Sequence, residues 1–157
     1  MVRVKGSGKN KREKARSVAK YCIKMLMPRL KDKLSINITL IPRLKEKESL
    51  SGDCIWEDDR CVRPREFTIR VDSTQSLQSM LETVCHEMVH VKQYARGELK
   101  DLARSSKCCK WKGKQVNFES THYYDHPWEI EAHGRERGLF LRWFFESKWK
   151  KCHWVDY

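Results

Sequence analysis

One segment dominates what this chain can become. From Gln75 to Arg96 an apolar stripe of helical period runs through Leu77, Leu81, Val84, Met88, Val91 and Ala95, and His86-Glu87-Met88-Val89-His90 lies inside it. At about 100° per residue, His86 stands about 200° around the helix from Val84, so one side can be buried while both imidazoles face a cleft. Histidines at i and i+4 project one turn apart and can reach a single ion. Glu87 is too close along the helix to join the same coordination shell, and is placed instead to take a proton from a water that the ion activates.

A hydrolytic zinc site needs a third protein ligand and an open position. Downstream candidates are His122, His126, Glu129, Glu131, His133 and His153. Glu129 is preferred because it falls in the first turn of the last predicted helix, just after Pro127, and a helix packed across the first can aim its carboxylate at the ion. Glu131 should face elsewhere on that helix.

The other elements follow from periodicity. A helix from about Lys11 repeats Ala15, Val18, Ala19, Cys22, Ile23 and Leu26 and ends at Pro28. Leu34–Ile41 and Phe67–Val71 alternate with period two, as strands with one buried face. Ser49–Arg63 reads as a hairpin or loop. Asp72-Ser73-Thr74 reads as a helix start capped by Ser73 or Thr74, and Gly97 as the stop. Ala103–Tyr124 is irregular, with a short hairpin near Gly113, and Trp128–Ser147 forms the last long helix. The expected class is α+β: a small, mostly antiparallel sheet packed with an N-terminal helix, the histidine-bearing helix and a C-terminal helix.

The combination of HEMVH and a later helical Glu-x-x-Ala resembles the gluzincin-type zinc metallopeptidases, especially their minimal single-domain members. That resemblance implies a zincin-like fold, Zn2+ held by His86, His90 and Glu129, Glu87 as general base, and hydrolysis of protein or peptide substrates. The wording HEMVHVKQY also resembles the SprT-like metalloprotease domain, whose members include DNA-associated proteases and use a third His; no His follows this motif closely. Many gluzincins carry an acid or Asn four residues after the ligand Glu, steadying a motif His, and here that residue is His133. In the usual zincin arrangement an extended substrate pairs with an edge strand, and Phe67–Val71 is the strand expected to serve. Tyr123, Tyr124 and His126 are candidate donors to the oxyanion.

Charge adds a second theme. Of the formal net charge of +12, residues Met1–Lys33 carry +10, a concentration that suits attraction to nucleic acid or another polyanion. A solvated helix face explains the same charges, and the rival reading for the whole chain is a non-catalytic, zinc-containing, nucleic-acid-binding module on a peptidase-like scaffold. Trp143, Trp149 and Trp154 mix with Lys148, Lys150 and Lys151 near the C-terminus, as a base-stacking platform would, but Leu139, Phe140, Trp143 and Phe144 fit the buried stripe of a helix, and core packing is the preferred reading. Residues 1–10 look flexible and basic, leaving 11–157 as one metallopeptidase-like domain. The opening MVRVKGSGKNKREK lacks the apolar core of a secretory signal, and no apolar run approaches the roughly 20 residues of a membrane helix. Seven Cys show no disulfide framework, and Cys54, Cys61, Cys108 and Cys109 are too poorly spaced for a second zinc site. The expected compartment is therefore cytoplasmic, in a bacterium or a host cell. Gly6-Ser7-Gly8-Lys9 lacks the spacing, preceding strand and hydroxyl of a phosphate loop.

Overall fold

The computed structural model describes residues 1–58, 63–102, 105–150 and 154–155, with the side chains of residues 105, 106 and 118 left aside. The chain is α+β. β1 (Val2–Gly6), β2 (Ser35–Ile41), β3 (Gly52–Trp56) and β4 (Glu66–Asp72) form a sheet in the order β1-β2-β4-β3. The helices are α1 (Lys9–Leu26), the short α2 (Leu44–Glu48), α3 (Leu77–Arg96) and α4 (Pro127–Glu146). β5 (Leu99–Leu102), β6 (Ser105–Trp111) and β7 (Lys114–Asn117) make a separate antiparallel sheet.

The main sheet corrects the antiparallel expectation. β1, β2 and β4 run parallel, and β3 alone is antiparallel. The cause is α1, which carries the chain from the end of β1 back to the start of β2, as a parallel pair requires. β1 also corrects the expectation of a flexible segment over residues 1–10. Val2 and Val4 alternate with Arg3 and Lys5, pair with Ile36 and Ile38, and are 9% and 7% exposed. The turn into α1 passes through Gly6 at φ 80°, where a Cβ would lie 2.1 Å from the Leu40 carbonyl oxygen, so only glycine fits. Arg12 closes that turn by donating to the carbonyls of Gly6 and Ser7.

Register puts Val2, Val4, Ile36, Ile38, Leu40, Phe67, Ile69 and Val71 on one face, and all are buried against the helices in a single apolar cluster. α1 packs against α3, and α4 lies across α3 with a smaller contact on α1. Because α3 has neighbours on both sides, nearly all of it from Met80 to Ala95 is buried, not only its apolar stripe. Phe140, Trp143 and Phe144 of α4 join the core, and Trp149 and Trp154 pack onto it, which accounts for the aromatic residues of the tail.

Local chemistry sets the ends of α3. Ser76, not Ser73 or Thr74, is the cap, accepting from the Ser79 backbone N–H at 3.1 Å. The earlier residues are held instead by Asp72, whose carboxylate accepts from the Thr74 N–H and hydroxyl and from the Lys45 N–H. Gly97 ends the helix at φ 71°. The hairpin or loop expected over Ser49–Arg63 holds one strand among the described residues, β3, which pairs antiparallel with β4 beyond that range, and Lys112-Gly113, both at positive φ, turn β6 into β7. β5 has no counterpart among the elements expected from the sequence. Among the described residues no helix is long and apolar enough to cross a membrane.

Candidate metal centre

α3 and α4 bring His86, His90 and Glu129 together. The two Nε2 atoms are 3.1 Å apart, His86 Nε2 is 3.3 Å from Glu129 Oε2, and His90 Nε2 is 3.4 Å from Glu129 Oε1. Donors about 2.0–2.1 Å from a tetrahedral zinc lie about 3.3–3.4 Å from one another, so the three spacings match the edges of a zinc tetrahedron. Two histidines and one carboxylate are also the donor set of catalytic zinc sites that keep an open position. The residues present fit the ion.

The outer partners fix the rings. His86 Nδ1 donates to Glu136 Oε2 at 2.7 Å, and His90 Nδ1 donates to Gln93 Oε1 at 2.8 Å. The Gln93 amide is oriented by its Nε2, which donates to the Trp128 carbonyl at 2.9 Å and to Glu131 at 3.2 Å. With both Nδ1 atoms committed as donors, both Nε2 lone pairs are left to converge on one point. The group that steadies His86 is thus Glu136, seven residues after Glu129, and not His133, four after it. His133 instead leans on Glu136 at 3.4 Å.

His86, His133 and Glu136 form a second possible ligand group. There the His86–Glu136 contact has the length of a charge-assisted hydrogen bond and is shorter than a tetrahedral edge, and His133 is exposed, whereas His86, His90 and Glu129 are 8%, 8% and 5% exposed. The first group is the better cation cage.

Burial and mutual contact shift the ionisations of the metal-free site. Burial alone would lower His86 and His90, but hydrogen bonds with Glu129 overcome it, raising His90 and pushing His86 up to about 10. Burial alone would raise Glu129, yet hydrogen bonds from the two rings hold its carboxyl well below the usual range. Glu87 goes the other way: desolvation outweighs both histidines and pushes it up to about 7. Protons in the metal-free site thus occupy the atoms a cation would take.

The cleft around these groups has a volume of about 240 Å³, lined by Gly52, Asp53 and Cys54 of β3, Glu87 and Tyr94 of α3, and Tyr123, and a neighbouring lobe of about 410 Å³ extends to Tyr124 and His133. Gly52 makes the approach of β3 possible: a Cβ there would lie 2.6 Å from the Thr83 methyl and 3.1 Å from Glu87 Oε1. β3 stands at one edge of the sheet and β1 at the other, whereas β4, which contains Phe67–Val71, is internal. That corrects the strand expected to receive substrate.

The remaining candidates separate cleanly. The Tyr123 hydroxyl donates to Glu129 Oε2 at 2.7 Å. Tyr124 is exposed beside His133, and His126 is buried and stacked on Trp128. His122 is exposed and stacks on Tyr124, while Glu131 is drawn into an ion pair with Lys92 at 2.7 Å. Cys54, Cys108 and Cys109 are free thiols, and no cysteine joins a candidate metal group among the described residues. Cys61 and His153 lie outside the described residues. No family model, curated protein or solved structure matches the chain.

Proposed function

We infer that the chain is a zinc-dependent metallopeptidase hydrolysing peptide bonds, with His86, His90 and Glu129 as ligands and Glu87 as general base. The observation that carries this reading is the set of three donor spacings, 3.1, 3.3 and 3.4 Å, beside the buried carboxyl of Glu87. When bound, zinc would supply polarisation of a carbonyl and would acidify a water at the open position. Glu87, poised near neutrality by desolvation, takes a proton from the attacking water onto its carboxylate and returns it to the departing amine nitrogen. Glu136 and Gln93 keep the two imidazoles in the tautomer that this arrangement needs. Tyr123, already at Glu129 Oε2, is the favoured donor to the developing oxyanion. An extended peptide would add to the outer edge of β3, where Gly52 and Cys54 line the cleft.

Glu87→Gln tests the assignment. It should keep zinc at one ion per chain while proteolysis of an unfolded protein substrate falls by about 100-fold or more. Undiminished proteolysis in that variant would overturn the role of Glu87. A chain that takes up zinc, unfolds on its removal and never cleaves peptide would instead be a structural zinc module.

A further inference from the structure

Two cavities away from the metal cleft meet at Pro28. The first, of about 420 Å³, has an apolar floor of Leu26, Met27 and Leu30 and is rimmed by Arg29, Arg63, Arg65 and Arg96. The second, of about 440 Å³, is bordered by Lys20, Lys24 and Lys31. Neither shares a lining residue with the metal cleft, and among the described residues no acidic side chain lines either one.

Not all of these cations are equal. Arg65 donates to the carbonyls of Pro64 at 2.9 Å and Ala95 at 2.7 Å, which fixes its guanidinium at the rim. Arg96 is paired with Glu98 at 3.1 Å. Lys20, Lys24, Arg29, Lys31 and Arg63 are exposed. Arg63 lies over the C-terminal end of α3, its Nε 3.4 Å from where a Gly97 Cβ would stand. Five exposed cations along two adjoining hollows, with apolar surface between them, suit a ligand of repeated negative charge and apolar spacers, as a strand of nucleic acid is. A single phosphate would meet only part of this surface. A folded acidic protein would need a broad flat face, and these are hollows.

The geometry points to a nucleic-acid-binding groove across the Pro28 face, taking the phosphodiester backbone of a single strand and separate from the proposed metal centre. The N-terminal charge excess is in this sense gathered, because Lys20, Lys24, Arg29 and Lys31 all belong to residues 1–33.

The test is fluorescence anisotropy of the full chain with a labelled single-stranded oligonucleotide of about 20 nucleotides, across a salt series. Five neutralised phosphates give a slope of log K on log salt of about −3.5, at about −0.7 each. The double variant Arg29→Gln/Arg63→Gln should make that slope shallower by about 1.4 and weaken binding tenfold or more at low salt. Lys110→Gln/Lys114→Gln, which removes two exposed charges from β6 and β7, should leave both unchanged. Circular dichroism and zinc content, expected to match the parent in both variants, keep this result distinct from any failure at the metal centre. No binding by the parent chain, or equal losses in the two variants, would overturn the proposal. So would inorganic phosphate displacing the strand as effectively as an unlabelled oligonucleotide.

Discussion

Replacing Glu136 separates a ligand from the group that holds a ligand in place. Its carboxylate accepts from His86 Nδ1 at 2.7 Å and has a side chain 28% exposed, so the change leaves the core intact. If the ion sits among His86, His90 and Glu129, losing this partner frees the ring to change tautomer and rotate. Such outer partners are worth about 10- to 100-fold in metal affinity, or about 1.4–2.7 kcal/mol. Glu136→Gln keeps an acceptor and should fall near the lower figure, and Glu136→Ala near the upper. Glu129→Gln, which removes an anionic ligand, should cost more than either. Competition with a chromophoric zinc chelator reads all three. The reverse order, with Glu136 variants losing more than Glu129→Gln, would place the ion at His86, His133 and Glu136 and refute the reasoning.

Proton competition gives a second expectation. The raised His86 contributes stability to the metal-free protein fully below pH of about 6.5, lost as pH climbs through about 10, and the depressed Glu129 contributes above about 4.5, lost on acidification. Thermal melts in chelator should therefore decline between those upper limits, while zinc affinity should rise across the same window by up to about tenfold per pH unit for each proton displaced; a flat zinc affinity would contradict this. Gly52→Ala should push β3 off α3, lowering stability by about 1–3 kcal/mol and reducing turnover more than zinc content, as melting curves and assays would show. Phe140→Ala, at a fully buried position among Trp143, Phe144 and Trp154, should cost about 3–5 kcal/mol in denaturant titrations without changing zinc stoichiometry in the folded chain.

What the sequence reveals of this molecule follows from how local each signal is. α3, α4 and β2 are written in repeats spanning several turns or a full strand, and Glu129 is legible because Pro127 fixes the start of its helix. β1 has only Val2 and Val4 to mark it, set between Arg3 and Lys5, and its partners lie more than thirty residues away on β2. Parallel pairing leaves no turn signal, so the sheet reads as antiparallel until α1 is seen to be a crossover. Glu136 and Gln93 had signals that could be found: Glu136 is seven residues past Glu129, two turns along one face, and Gln93 is three past His90. The burial of His86 and His90 has no local signal, because α4, which covers them, is defined by its own apolar stripe.

X-ray absorption spectroscopy of the zinc-loaded chain is the most direct measurement. The account predicts one zinc per chain with nitrogen and oxygen neighbours at about 2.0–2.2 Å, two of them imidazoles, and loss of that spectrum in His86→Ala and Glu129→Ala. A sulfur shell near about 2.3 Å, or an unchanged spectrum in Glu129→Ala, would contradict it.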